Sequence, residues 1–203
     1  KINDLLSAIG YQRDDLIIAY DNEGGGWAGR FLWLMDCICH QNLGYLNGGL
    51  PAWISERKPL KTKSPTRKKV TSEITLSAHP VAELEEVLGA IEDPNHLIWD
   101  ARSIDEYKGS DQRASRAGHI PSSFNLDWLN LRNPFNCFRL PKDLNTLLEA
   151  NDLLSGKKII TYCQSHHRSG LSYLVGRLHG MNIKAYAGGW AEWGNRVDTP
   201  IAI

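Results

Sequence analysis

The sequence lacks the features that would place it in several large classes of protein. Its basic and acidic side chains balance at 23 each, and it has no sustained basic face, which argues against nucleic acid as the main partner. No apolar run approaches the length of a membrane span, and no cleavable N-terminal signal is recognisable. Its four cysteines are too few and too scattered for a disulfide scaffold in 203 residues. We therefore expect a globular cytoplasmic protein that binds neither nucleic acid nor membrane.

One short segment, at 162–170, carries the strongest chemical signal. An apolar run at 158–162 ends on Cys163, and a helical pattern begins at Ser169. Backbone N–H groups of the tight loop, the positive end of the helix and nearby His and Arg side chains all favour the thiolate over the thiol. The spacing therefore predicts a nucleophilic cysteine that is largely ionised.

The chain also contains an internal repeat. In each copy an apolar run leads into a loop, a helical pattern, and a Gly-Gly pair that precedes a Trp at the same offset. These features lie at 16–53 in the first copy and at 159–193 in the second, and both copies predict strand, loop, helix, strand. Asp21 occupies the position in the first copy that Cys163 occupies in the second, and a carboxylate cannot perform thiolate chemistry. We therefore expect the first copy to be a structural relic and the second to be the working one.

The region before the second copy reads as alternating strands and helices. The predicted elements are a helix at 81–91, a buried strand at 96–101, a helix capped by Ser103 and Glu106, a strand at 123–128 and a helix opened by Pro141. This alternation implies an α/β fold with a mainly parallel sheet covered by helices on both faces. Cys163 would then lie beyond the carboxyl end of a strand, where such folds bind ligands.

The first copy is shorter than the second, because only one helical stretch precedes its first strand. We predict an incomplete first domain at 1–54, a linker rich in Lys, Pro, Ser and Thr at 55–76, and a complete domain at 77–203. The missing strands would leave an open sheet edge and uncovered apolar surface.

Taken together, these motifs resemble the rhodanese (thiosulfate sulfurtransferase) family in its tandem-domain form, here without the N-terminal part. In that form an inactive domain with Asp in place of Cys precedes the catalytic domain. The resemblance covers nearly the whole chain, and the loop Cys-Gln-Ser-His-His-Arg is similar to that of a bacterial subgroup. The motifs that carry it lie at 20–21, 47–53, 98–103, 117–121, 163–168 and 189–193.

The resemblance implies a sulfurtransferase that needs no cofactor. Cys163 would take a sulfane sulfur from thiosulfate or another donor, hold it as a persulfide, and pass it to cyanide, a small thiol or a protein by a ping-pong mechanism. The implied substrate-binding residues are Gln164, Ser165, His166, His167 and Arg168. Loop N–H groups would stabilise the outer sulfur, and the last three side chains would attract the dianionic donor. Asp100, Arg102 and Trp190 would shape the loop or the mouth of the site.

The choice of donor rests on the loop. Animal thiosulfate sulfurtransferases carry a basic residue where this chain has Gln164, and an Arg near the position of Glu106. Mercaptopyruvate sulfurtransferases carry small neutral residues after Cys-Gly, unlike this loop. We therefore expect thiosulfate as donor, with 3-mercaptopyruvate as the alternative and a non-catalytic sulfur-carrier or docking module as a further one.

Two other kinds of site use cysteine in a comparable setting, a phosphatase loop and a metal centre. Cys-x5-Arg phosphatases need an Arg where this chain has Ser169, and the shorter loop here predicts a nest sized for sulfur and too small for phosphate. A metal site would need Cys163, His166 and His167 to converge, but consecutive histidines rarely face one ion. The sequence therefore predicts no metal.

Overall fold

Strands and helices alternate along most of the chain in the computed structural model, which describes residues 2–63, 66, 68–71 and 74–203. The strands are β1 Ile17–Ala19, β2 Leu43–Tyr45, β3 His96–Asp100, β4 Phe124–Asn125, β5 Lys158–Tyr162 and β6 Ile183–Ala185. The α-helices are α1 Ile2–Ala8, α2 Gly26–Cys37, α3 Gly49–Ser55, α4 Leu84–Ala90, α5 Ile104–Tyr107, α6 Leu144–Ala150, α7 Arg168–Leu178 and α8 Gly189–Trp193. Within these residues, no helix combines the length and the apolar composition that crossing a bilayer requires.

All strand pairings within the two sheets are parallel, as predicted. The second copy forms a sheet of order β4-β3-β5-β6, and the first copy pairs β1 with β2. In the larger sheet Asp100 lies beside both Tyr162 and Asn125. The carboxyl ends of the central strands therefore meet where Cys163 follows β5.

The larger sheet is covered on both faces, which confirms the predicted layering. Side chains alternate across a strand, so Ile159 joins the core cluster built with α6 and α7, whereas Ile160 and Tyr162 join the cluster built with α4 and α8. Buried contacts on both faces make β5 a central strand of the core. The Cys163 loop thus starts from a rigid base.

The first copy leaves several apolar side chains exposed. Ile18, Tyr20 and Trp27 are 49%, 58% and 54% exposed along or beside β1. In the described part of the chain β1 pairs with β2 alone. The domain bounds at 1–54, 55–76 and 77–203 stay a prediction.

Three predicted elements differ from the structure. The helix predicted at 81–91 begins only at Leu84, and Val81 forms a parallel bridge with Ala185 instead. The strand predicted at 123–128 is only two residues long, because the Asp127 carboxylate accepts a hydrogen bond from the Leu129 N–H at 3.0 Å and starts a 3₁₀ helix at Trp128–Leu131. The helix expected to open at Pro141 begins instead at Leu144. At the strand a side-chain hydrogen bond competes with the regular element.

The two copies meet through helices α2 and α7, which approach to backbone contact. A Cβ placed on Gly29 would lie 2.1 Å from the Gly170 carbonyl oxygen, and one placed on Gly170 would lie 2.6 Å from the Arg30 nitrogen. Only glycine permits this approach. Because each helix follows its own loop, the crossing brings the Asp21 and Cys163 loops side by side.

We predict that Gly29→Ala lowers the free energy of unfolding by about 3 kcal/mol, the upper range for overpacking, because the new methyl group meets backbone that cannot rotate away. The measurement is the midpoint of urea denaturation. Gly89→Ala is the matched control, since a Cβ there meets nothing within 4 Å. Replacing a glycine inside a helix by alanine raises the free energy of unfolding by up to about 1 kcal/mol. Equal midpoints for the Gly29 variant and the unaltered chain would contradict the close backbone contact between α2 and α7.

Candidate active site

Cys163 follows β5 directly and begins the loop that leads into α7. Its side chain is 1% exposed, and the Ser169 hydroxyl donates a hydrogen bond to its Sγ at 3.4 Å. Its carbonyl oxygen accepts from the Trp190 N–H at 2.8 Å. Gly189 has a φ of 55°, and a Cβ there would lie 2.4 Å from the same carbonyl. The Gly-Gly-Trp segment therefore fixes the backbone of the cysteine.

The corresponding loop of the first copy binds a carboxylate. The Asp21 oxygens accept hydrogen bonds from the backbone N–H groups of Glu23, Gly24, Gly25 and Ala28 at 2.9 to 3.2 Å. Converging N–H groups of this kind form an anion-binding nest. The loop after Asp21 is therefore an anion site whose anion is part of the chain.

The two loops have the same length and share one residue with positive φ at the same position. Helix α2 begins five residues after Asp21, and α7 begins five residues after Cys163. Gly24 and His166, each three residues into its loop, both have positive φ, at 100° and 59°. The carbonyl of Asp21 also accepts from the N–H of the residue after its Gly-Gly pair, at 2.8 Å. The repeat seen in the sequence thus recurs in loop length and in this carbonyl contact, while the backbone differs just before the helices, where Gly25 has a φ of 106° and His167 one of −90°.

His166 lies inside the protein and does not carry the positive charge expected of it. Its Nδ1 lies 2.9 Å from the Ser169 Oγ, and its ring packs edge-on against Trp33 with 4.4 Å between ring centres. Burial, aided by the charge of Arg30, lowers the pKa of His166 to about 3. The ring is therefore neutral at pH 7, and the prediction of a cation at this position was wrong.

His167 points toward the first copy. Its Nε2 contacts the Glu23 carboxylate, and its ring lies 4.4 Å from the Trp27 ring and 5.5 Å from the Trp128 ring. His166 and His167 thus face different partners. Sequence reasoning missed Glu23, although its position in the repeated loop, two residues after Asp21, could have drawn attention to it.

Arg168 is held by a buried acid. Its guanidinium binds both oxygens of Glu106, one of them at 2.8 Å, and Glu106 also closes the predicted capping box with Ser103. Burial opposes both charges, but their mutual hydrogen bonds and attraction outweigh it, raising the pKa of Arg168 and lowering that of Glu106. The charge of Arg168 is therefore largely offset before any donor arrives.

Gln164 and Ser165 form the outer part of the loop. The Gln164 Nε2 donates to the Arg113 carbonyl at 3.0 Å, while its buried Oε1 has no partner among the described residues. The Ser165 side chain is exposed, and its carbonyl accepts from the Arg30 guanidinium at 3.2 Å. Arg30 belongs to α2, so the first copy contributes a cation close to the loop.

Asp100, Arg102 and Trp190 form a buried support behind the loop. The Asp100 carboxylate binds the Arg102 guanidinium at 2.6 Å and accepts from the Tyr162 hydroxyl at 2.6 Å. The guanidinium also lies 4.5 Å from the centre of the Trp190 ring. Tyr162 precedes the cysteine, and the Trp190 N–H holds the carbonyl of Cys163. This arrangement positions the loop from two sides.

The sequence of the chain is similar to that of known proteins. Residues 83–196 match the family model of the rhodanese-like domain. The thiosulfate sulfurtransferases of Azotobacter vinelandii and Pseudomonas aeruginosa are each 40% identical to the chain. Those matches cover 100% and 98% of this chain, and 75% and 74% of the two proteins.

A solved structure shares the fold. The anaerobic ergothioneine biosynthesis enzyme from Chlorobium limicola, in complex with trimethyl histidine, superposes with a TM-score of 0.83 at 20% identity. The match covers 97% of this chain and 53% of that one, so the chain spans about half the length of the solved structure.

The matched domain includes the Cys163 loop and more than half of the chain, and both curated relatives align along nearly all of it. The chain therefore belongs to the rhodanese family.

Proposed function

We propose that the chain is a thiosulfate sulfurtransferase in which Cys163 carries the transferred sulfur as a persulfide. The observation that carries the proposal is the pair of matched loops. The Asp21 carboxylate lies where four N–H groups converge, and Cys163 occupies the same position before a loop of equal length. The names of the two 40% identical relatives support the choice of reaction.

The proposed reaction has two half-reactions. In loading, the Cys163 thiolate attacks the outer sulfur of thiosulfate; an S–S bond to the cysteine forms, the bond to the inner sulfur breaks, and sulfite leaves with its electron pair. In unloading, cyanide or a thiolate attacks the outer sulfur of the persulfide, and the cysteine leaves as a thiolate. The negative charge moves from Sγ to the outer sulfur and back.

Backbone N–H groups, more than charged side chains, are proposed to bind the anionic sulfur. His166 is neutral, His167 contacts Glu23, and Arg168 is paired with Glu106. The loop N–H groups and the N-terminus of α7 supply partial positive charges that need no counterion. Gln164, Ser165, His167 and Arg168 keep their predicted place around the donor as part of the proposal.

The acceptor is proposed to be cyanide, a small thiol or a protein, and the compartment a reducing cytoplasm. The four cysteines, Cys37, Cys39, Cys137 and Cys163, are all free thiols, which suits that compartment. A sulfur-carrier module would also load Cys163 but would not turn over small acceptors. Turnover therefore separates the two functions.

We predict that Cys163→Ser abolishes both the gain of one sulfur atom after incubation with thiosulfate and the formation of thiocyanate from thiosulfate and cyanide. A serine hydroxyl is not ionised at neutral pH and cannot form a persulfide. Intact-mass spectrometry and a thiocyanate assay measure the two steps. Cys137→Ser is the control, since Cys137 contacts Ser55 away from the loop. A sulfur adduct that survives in the Cys163 variant would refute the assignment.

For donor choice, we expect kcat/KM with thiosulfate to exceed that with 3-mercaptopyruvate. The proposed nest binds the negatively charged outer sulfur of the donor, and the loop lacks the small neutral residues of mercaptopyruvate enzymes. The measurement compares both donors with cyanide as the common acceptor. Faster turnover with 3-mercaptopyruvate would reassign the donor and leave the persulfide in place.

Glu106→Gln is expected to lower the KM for thiosulfate by roughly three- to tenfold at low ionic strength, because it removes a negative charge and leaves that of Arg168 unpaired beside the loop. The gain should shrink as salt is added. Glu92→Gln, at an exposed position, is the control for the same change in net charge. An unchanged KM in the Glu106 variant would show that Arg168 does not act on the donor.

A further inference from the structure

The Ser169 hydroxyl connects the reactive sulfur to a buried imidazole. Its oxygen lies 3.4 Å from the Cys163 Sγ and 2.9 Å from the His166 Nδ1. All three side chains are at most 1% exposed. Solvent therefore does not compete for these hydrogen bonds, and the direction of each proton is set by the three groups themselves.

A thiolate permits one arrangement of protons in which both bonds are made. A thiolate can only accept, so the Ser169 hydroxyl must donate to Sγ, and its oxygen must then accept from the Nδ1–H of His166. This leaves the His166 Nε2 as a bare lone pair, and that atom has no partner among the described residues. A buried lone pair without a partner costs less free energy than a buried N–H group without a partner. The site thus favours the tautomer that the thiolate requires.

The first copy shows what the same loop looks like without a sulfur. At the positions of His166 and Ser169, counted from the start of each loop, it carries Gly24 and Trp27. The Asp21 carboxylate is satisfied by backbone N–H groups alone. The fold therefore does not need the imidazole or the hydroxyl, and both occur in the copy that has the cysteine.

We propose that Ser169 is a catalytic residue that donates a hydrogen bond to the Cys163 thiolate, and that His166 is a positioning residue that orients its hydroxyl. The proposal rests on the proposed function and assigns these two residues to particular half-reactions. Sγ carries the charge before loading and after unloading, but not in the persulfide. The hydrogen bond therefore stabilises Cys163 as the leaving group when an acceptor attacks.

The consequence is an asymmetry between the half-reactions. Without the Ser169 hydroxyl, unloading slows at every pH because the leaving thiolate loses a donor. Loading slows only where the loss reduces the fraction of thiolate; at high pH it keeps its rate, since an unassisted thiolate remains nucleophilic.

The first experiment measures single-turnover loading with thiosulfate and unloading with cyanide, followed by intact mass, in Ser169→Ala. We expect unloading to slow about tenfold and loading at high pH to stay within about twofold. Alkylation of Cys163, followed on its own peptide, should show its pH midpoint displaced upward. Ser172→Ala is the matched control, because Ser172 is equally buried in α7 and its hydroxyl has no partner among the described residues.

The second experiment tests whether His166 acts through Ser169. His166→Asn keeps a donor near the Nδ1 position and tolerates positive φ, whereas His166→Gly removes the donor at a position where the first copy already has glycine. We expect Asn to preserve unloading within about threefold and Gly to slow it as much as Ser169→Ala does. In the Ser169→Ala background, His166→Gly should add nothing.

Unloading in Ser169→Ala that matches the Ser172→Ala control would overturn the proposal, and additive effects of the two substitutions would overturn the role of His166. Should Ser169→Ala fold poorly, the Asn and Gly variants at 166 decide alone, since both keep the hydroxyl. A wild-type protein that never gains sulfur would instead refute the proposed function, which separates the two failures.

Discussion

The site depends on how the peptide groups after Cys163 are held. The carbonyls of Cys163 and Gln164 accept hydrogen bonds from the Trp190 and Ala191 N–H groups of α8, at 2.8 and 2.9 Å. With these carbonyls fixed, the proposal assigns N–H groups of the loop to the sulfur. The glycine at 189 is required because any side chain would collide with the loop. The Asp21 carbonyl is held in the same way by the Leu50 N–H at 2.8 Å, so this carbonyl contact belongs to the repeat, and the residue placed there differs between the copies.

The electrostatics of the site follow from this arrangement. An apparently cationic run of His, His and Arg becomes, after folding, one neutral ring, one ring facing a carboxylate and one guanidinium bound to a buried acid. The proposal therefore assigns the anion to the fixed dipoles of the backbone, which need neither an added counterion nor reorganisation. The pairing of Arg168 with Glu106 orders the loop and at the same time limits its long-range attraction for anions.

Local signals were predictable, and contacts between distant segments were not. The capping box at Ser103, the strand before Cys163 and the matched loops all depend on neighbouring residues, so the sequence alone predicts them. The partner of Arg168 lies 62 residues away, and His166 loses its charge through burial beneath Trp33 of the other copy. This burial arises only when α2 packs across α7, so the sequence of the loop alone does not predict it. The short β4 differs from its prediction for a local reason. The sequence pattern favoured a longer strand, but the Asp127 side chain starts a 3₁₀ helix there.

The central claim is that the Cys163 loop is a nest for an anionic sulfur attached to the cysteine. A crystal structure of the protein treated with thiosulfate, compared with the untreated protein, tests it most directly. The account predicts one additional sulfur bonded to Sγ, with its outer atom within hydrogen-bonding distance of the N–H groups that correspond to those around Asp21. A sulfur directed away from those N–H groups, or intact thiosulfate bound elsewhere with Cys163 unmodified, would contradict it.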